Sequence, residues 1–206
     1  MTGYRYRVPA GSGSAELRER GSRFLARLEP VADEEAAKQH LAALAARHPD
    51  ASHHCWAWRL GSPPRERSSD AGEPAGTAGR PILRALRGAG VSDVLAVVSR
   101  WFGGTRLGRG GLARAYGGAV RAALAATAVG ERLAYETIAV TVPYALFGEL
   151  QRLVQPPEIE LASADYGESV RCTLRVIPPR RAAVVERLAA LGLEAAGSRS
   201  ERGPGC

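Results

Sequence analysis

The sequence predicts an α+β fold in two domains, and three observations carry that expectation. Strand-like and helix-like hydrophobic periods interleave along all 206 residues. The second half reads strand, helix, strand, strand, helix, strand, which is the order of a ferredoxin-like βαββαβ unit. The charge balance also changes near Gly130, with 19 basic and 11 acidic residues before it and 9 and 10 after it. The expected division is residues 1–130, residues 131–200 and a disordered tail at 201–206.

The elements follow in order. Residues 22–28 alternate as a strand does. Asp33-Glu34-Glu35 opens a helix with acids where the macrodipole favours them; Ala37, Leu41 and Leu44 form its apolar row, and Pro49 marks its end. Ser52 to Leu60 reads as a strand with two tryptophans, and Gly61 to Gly79 as a long loop. Pro81 starts a short helix, Ile82 to Arg87. Val94 to Ser99 has the composition of a buried strand, and after a Gly-rich segment a helix runs from about Gly111 to Ala126. Its residues Leu112, Tyr116, Val120 and Leu124 recur every fourth position and make one apolar stripe. In the second half, strands are expected at Leu133–Val142, Glu158–Ala164, Ser169–Ile177 and Leu193–Ala196. One helix follows Pro143, and another runs from Pro178-Pro179 to Leu191.

Composition excludes several classes. The longest purely apolar run, Val94 to Val98, is far too short to span a bilayer. The N-terminal residues Met1 to Arg7 contain no apolar signal core, so a cytoplasmic protein with no membrane partner is expected. Cys55, Cys172 and Cys206 are odd in number and form no CxxC, which argues against a disulfide framework or a zinc site. Neither metal nor cofactor is expected. The net charge of +7 is almost entirely arginine, since Lys38 is the sole lysine. Pro74 to Gly130 carries eight arginines and a single acid, Asp93, an asymmetry that points to an anionic partner.

Three segments have residues suited to chemistry. Ser99 to Leu112 lies between a buried strand and a helix. Its glycines, Gly103, Gly104, Gly108, Gly110 and Gly111, let backbone turn tightly and another group approach closely. The helix start leaves N–H groups unpaired. Arg100, Arg106, Arg109 and Arg114, with Arg80 upstream, add full charges, so the segment has the ingredients of a phosphate cradle. The alternative is a tight turn whose glycines serve only close packing. A Walker A loop is absent, for no Gly-Lys-Ser/Thr occurs. Gly108-x-Gly110-x-x-Ala113 matches a relaxed dinucleotide fingerprint, but the next strand lacks the terminal acid a Rossmann unit requires. In the second segment, Asp70 and Glu73 stand three residues apart in a Gly-rich loop and could bind a metal or act as acid and base, or else pair with Arg80 or Arg100 and fix the loop. In the third, strand alternation puts His53, Cys55 and Ala57 on one face and His54, Trp56 and Trp58 on the other. His53 and Cys55 are candidates for nucleophilic chemistry; a buried core cysteine is the competing reading.

The blocks Arg67-Ser68-Ser69-Asp70 through Arg80-Pro81-Ile82-Leu83, and Val97 through Gly104, Gly108 and Tyr116, closely resemble the IMPACT family. His53 to Arg59 and Glu34-Glu35-Ala36 fit two further blocks, and the resemblance covers about residues 20–128. The second half is similar to the second domain of bacterial YigZ-like members. Ala71 stands where the family has a second Asp and His54 where it has Asn, which argues against an obligatory Asp-Asp metal pair. Trp101 and Ser99 replace Tyr and Thr. The resemblance implies an N-terminal domain like the second domain of a small-subunit ribosomal protein and domain IV of elongation factor G, a βαβ sandwich. It also implies a partner in translational control, the role of eukaryotic members. It carries over no catalytic residues. The leading expectation is binding to RNA or a ribosome-associated complex through Arg100, Arg106, Arg109 and Arg114. The alternatives are an enzyme acting on a phosphorylated small molecule and a protein-interaction module whose mark would be an exposed apolar patch at His54 to Trp58.

Overall fold

The computed structural model describes residues 4–202. These form two compact units: Tyr6–Glu131, and Arg132 onward together with the N-terminal residues as far as Arg5.

The first unit contains β1 (Arg5–Pro9), β2 (Gly13–Glu19), β3 (Ser22–Pro30), α1 (Glu34–Arg47), β4 (His53–Leu60), β5 (Arg65–Ser69), α2 (Gly79–Ala89), β6 (Val94–Trp101) and α3 (Gly108–Ala125). Its sheet has the order β2-β3-β6-β4-β5, with every neighbouring pair antiparallel. Central β6 is buried from Val94 to Arg100 because both faces of the sheet are covered. Val94, Ala96 and Val98 face the core beneath α2 and α3, with Phe24, Ile82, Leu86, Tyr116 and Val120. Leu95 and Val97 face the core beneath α1, with Ala37, Leu44, Trp58 and Leu60. The period-two pattern of β4 is split the same way: Cys55 and Ala57 point to the α2/α3 core, Trp56 and Trp58 to the α1 core. The predicted stripe on α3 is buried at Leu112, Tyr116 and Val120. The Asp33 carboxylate caps α1 by accepting the Ala36 N–H at 2.8 Å.

Three strands lie where the sequence reading placed none. β2 and β3 form a hairpin whose two-residue turn, Arg20-Gly21, has positive φ at both positions (46° and 81°). That conformation matches the twist of antiparallel strands. β5, Arg-Glu-Arg-Ser-Ser, is an edge strand with no apolar residue, held by its backbone pairing with β4. β1 alternates exposed arginines with buried Tyr6 and Val8. The long loop expected over 61–79 is therefore interrupted, and α2 starts earlier than predicted, at Gly79.

The second unit holds β7 (Val129–Val142), α4 (Tyr144–Leu153), β8 (Ile159–Tyr166), β9 (Val170–Val176), α5 (Pro178–Ala190) and β10 (Ala195–Arg202). Four strands of its five-stranded sheet run β10-β7-β9-β8, each neighbouring pair antiparallel, which is the ferredoxin-like order. Ile138, Val140, Val142, Cys172 and Leu174 pack against Leu150 of α4 and Val184 and Leu188 of α5. Of the tail expected to be disordered, residues 201 and 202 end β10, and 203–206 lie outside the described residues.

Candidate functional site

The site is built around the segment between β5 and α2 and the segment between β6 and α3. Asp70, first residue after β5, organises the former. Its carboxylate accepts the backbone N–H groups of Gly76, Ala78 and Gly79 at 2.8, 2.9 and 2.8 Å. It thereby caps α2, whose own N-cap, Ala78, provides no side-chain acceptor. Burial acts to raise the Asp70 pKa, but the three N–H donors together outweigh it and hold the carboxyl below its ordinary value. Gly79 admits no side chain here, since a Cβ would fall 2.8 Å from the Ser69 backbone.

Asp70 thus fixes the loop, the structural alternative that the sequence offered beside an acid–base role. Its contribution has a definite pH dependence. A depressed folded pKa means stability that is present above the ordinary carboxyl range and lost as pH falls through the folded value. Asp70→Ala is expected to cost about 2 kcal/mol at pH 7. The gap from the parent should narrow below about pH 4, as followed by urea titration at several pH values.

Glu73 likewise takes the structural alternative, as the partner of Arg100. Its carboxylate oxygen Oε1 accepts from Arg100 Nη1 at 2.6 Å and from the Tyr116 hydroxyl at 2.7 Å. Both charged side chains are almost wholly buried, at 7% exposure for Arg100 and 3% for Glu73. Arg100 also reaches Ser22 Oγ at 3.4 Å, while its Nε is buried without a hydrogen-bond partner. Arg100 was expected to contact phosphate; its charge is instead neutralised internally by Glu73. Burial pushes the Tyr116 phenol well above its ordinary pKa, so it remains a hydrogen-bond donor to Glu73.

His53 and Cys55 do not bond to each other, and Cys55 takes the buried core position of the competing reading. His53 Nδ1 lies 2.9 Å from the Ala71 carbonyl and donates to it, because a carbonyl can only accept. The Cys55 thiol donates to the Asp70 carbonyl at 2.9 Å. Cys55 is fully buried in the core, and burial pushes its pKa up to about 12, leaving no thiolate for nucleophilic attack at neutral pH.

The second segment is fixed by a close backbone approach. Continuing the β3–β6 register, Gly103 stands opposite Gly21, and a Cβ on Gly103 would overlap the Gly21 carbonyl. Gly103 N–H donates to Ser22 Oγ at 3.2 Å. Gly104 and Gly108 adopt positive φ, 85° and 67°, which turns the chain into α3. Gly111 packs on Leu107, whereas Gly110 meets only the Arg114 side chain. Close packing therefore explains some of these glycines, and the turn explains others. α3 begins at Gly108 with neither a side-chain cap nor an acid in its first turn.

A cavity of about 340 Å³ lies between the two segments. Buried Arg100 and Glu73 line it together with His53. Arg106, Gly108 and Arg109 line it from the α3 side, and Pro74, Phe102, Leu107 and Leu112 supply apolar wall. Arg109 donates one N–H to the Ala75 carbonyl at 2.7 Å. Arg106 is exposed and, among the described residues, has no carboxylate partner. Of the other expected site residues, Arg80, Gly103, Gly104, Gly110, Gly111 and Arg114 do not line the cavity. Arg80 and Arg114 stand exposed on α2 and α3, with Arg84 and Arg121. Neither helix carries an acid. The sequence reading passed over Phe102 and Leu107 as site residues. Phe102, 51% exposed beside the glycines, is the side chain that hydropathy in a loop could have flagged.

The segment from β4 to β6 does not offer the apolar patch sought at His54 to Trp58. Trp58 is buried and Trp56 half-buried against α1.

The model of the Impact N-terminal domain matches residues 20–124, half of the chain. The chain belongs to the IMPACT family. A domain of unknown function, DUF1949, matches residues 140–192, within the ferredoxin-like unit. The IMPACT family member in the pol 5' region of Thermus thermophilus is 43% identical over 157 residues, 76% of this chain and 85% of that protein. The IMPACT family member YigZ of Escherichia coli K12 is 47% identical over 120 residues, 57% of this chain and 59% of its own length. A crystal structure described as that of a hypothetical protein superimposes with a TM-score of 0.73 at 32% identity, covering 94% of this chain and 97% of the other. The two-domain α+β architecture is thus a property this IMPACT chain shares with a solved structure along nearly its full length. No helix among the described residues is long and apolar enough to cross a membrane.

Proposed function

We propose that this IMPACT chain binds RNA, or a ribonucleoprotein, through phosphate contacts on the α2/α3 side of its first unit, in a role linked to translation. One observation carries the reading. Of the eight arginines between Pro74 and Gly130, only Arg87 and Arg100 pair with carboxylates among the described residues, namely Glu66 and Glu73. The remaining six face outward or into the cavity, on elements with no acid to neutralise them. The only acid in that stretch, Asp93, is buried and accepts from Gly61 N–H and the Tyr6 hydroxyl. Arginine suits phosphate through its fork of parallel N–H donors. The link to translation rests on family membership and on the role the resemblance implies for eukaryotic members.

The test is the salt dependence of binding to a fluorescent single-stranded RNA, read by anisotropy. Each phosphate contact contributes about 0.7 to the slope of log K against log salt. Arg106→Ala with Arg109→Ala is expected to flatten the slope by about 1.4 and weaken binding at least tenfold. An unaltered slope in that double variant removes these two residues from the interface and, with them, the reading.

A further inference from the structure

The cavity beside α3 differs from the open arginine surface in shape and in charge. Its inner wall is closed by the buried Arg100–Glu73 pair, locked in turn by Tyr116. Its rim is formed by exposed Phe102, Arg106 and Arg109. A polymer can run along an open surface, but a closed wall admits only an end or a free small molecule. Glu73 and Arg100 cancel one another, which leaves Arg106 and Arg109 as the net charge of the lining, beside His53 and the uncapped amides at the start of α3. Two guanidinium groups and a helix N-terminus match a phosphomonoester, which carries about −1.5 to −2 at pH 7, better than the single charge of an internal phosphodiester.

The other half of the lining is apolar. Phe102 has half its surface exposed, and its ring lies 5.6 Å from the Arg100 guanidinium, which faces it. A half-exposed aromatic ring beside two arginines is what a stacked base and its phosphate require. The volume, about 340 Å³, is at the small end of ligand pockets, about 300–1,000 Å³, and suits one nucleotide.

We propose that this cavity takes a single nucleotide bearing a phosphomonoester, with the phosphate at Arg106 and Arg109 and the base on Phe102. The source is either the phosphorylated end of an RNA strand or a free nucleoside monophosphate. The inference deepens the RNA-binding reading in the first case and stands apart from it in the second.

The experiment uses the full chain at fixed salt. Its ligands are one RNA decamer with a 5′-phosphate, with a 3′-phosphate, or with hydroxyls at both ends, and adenosine monophosphate against adenosine. At least one phosphomonoester form is expected to bind tenfold or more tightly than its hydroxyl counterpart. Phe102→Ala, and separately Arg106→Ala with Arg109→Ala, should abolish that ratio. Arg84→Ala with Arg121→Ala, on the open helical surface, should weaken all RNA forms alike and preserve it. Preference for a phosphorylated decamer supports a strand end. Preference for adenosine monophosphate with no binding of any decamer supports the cavity ligand and overturns the broader RNA reading. Equal binding of every phosphorylated and unphosphorylated pair overturns the cavity assignment while leaving general RNA binding intact. A preference that survives Phe102→Ala and the Arg106/Arg109 variant unchanged also overturns it.

Discussion

Replacing Glu73 with Ala is expected to lower the stability of the first unit by about 3–5 kcal/mol. The loss comes chiefly from what remains. Arg100 keeps its charge at 7% exposure, with Ser22 Oγ at 3.4 Å as its one remaining side-chain acceptor and Nε already unpaired. Tyr116 at the same time loses the acceptor of its hydroxyl. Glu73→Gln should fall between the parent and Glu73→Ala, since an amide oxygen can still accept from Tyr116 but no longer balances the guanidinium. Glu73→Leu combined with Arg100→Met should recover most of the loss, because removing both charges removes the desolvation penalty together with the attraction. Denaturant titration followed by the tryptophans, all of which lie in the first unit, measures each variant. Were Glu73→Ala to cost less than about 1 kcal/mol, the pair would have to be solvated, contrary to its burial.

Gly103→Ala is the second large effect, expected at about 3 kcal/mol or more. The added methyl would overlap the Gly21 carbonyl, and both sides of the collision are backbone, so no rotamer change relieves it. The strands would have to part where Gly103 N–H meets Ser22 Oγ, the same hydroxyl that Arg100 approaches. Gly110→Ala is the control seven residues on. It lies within α3 with only the Arg114 side chain nearby, and there alanine should stabilise by about 0.5–1 kcal/mol. Thermal unfolding of the two variants should therefore shift in opposite directions. Two shifts of the same sign would show that Gly103 and Gly21 do not approach as described.

How much of this was legible in the sequence depended on whether apolar residues reported the structure. β6 was legible because a strand covered on both faces needs an unbroken apolar run, and Val94 to Val98 supplies it. The two faces of β4 were legible from alternation alone. β5 was not, because Arg65 to Ser69 buries no apolar side chain and owes its conformation to pairing with β4. The β2–β3 hairpin left a fainter trace, an Arg-Gly pair at a turn that demands positive φ twice. At the site, the sequence could not say which arginines were paired and which were not. Glu73 and Arg100 are 27 positions apart, and nothing in their spacing indicates that they neutralise each other. The same holds for Asp70, whose three backbone partners are created by the loop it holds.

The absence of acids from α2 and α3 has a consequence for the protein without a ligand. Two packed helices that present Arg84, Arg114 and Arg121 without carboxylate partners among the described residues repel each other across their shared outer surface. The unliganded fold therefore carries an electrostatic load that its cores must offset, and any polyanion laid across the helices relieves it.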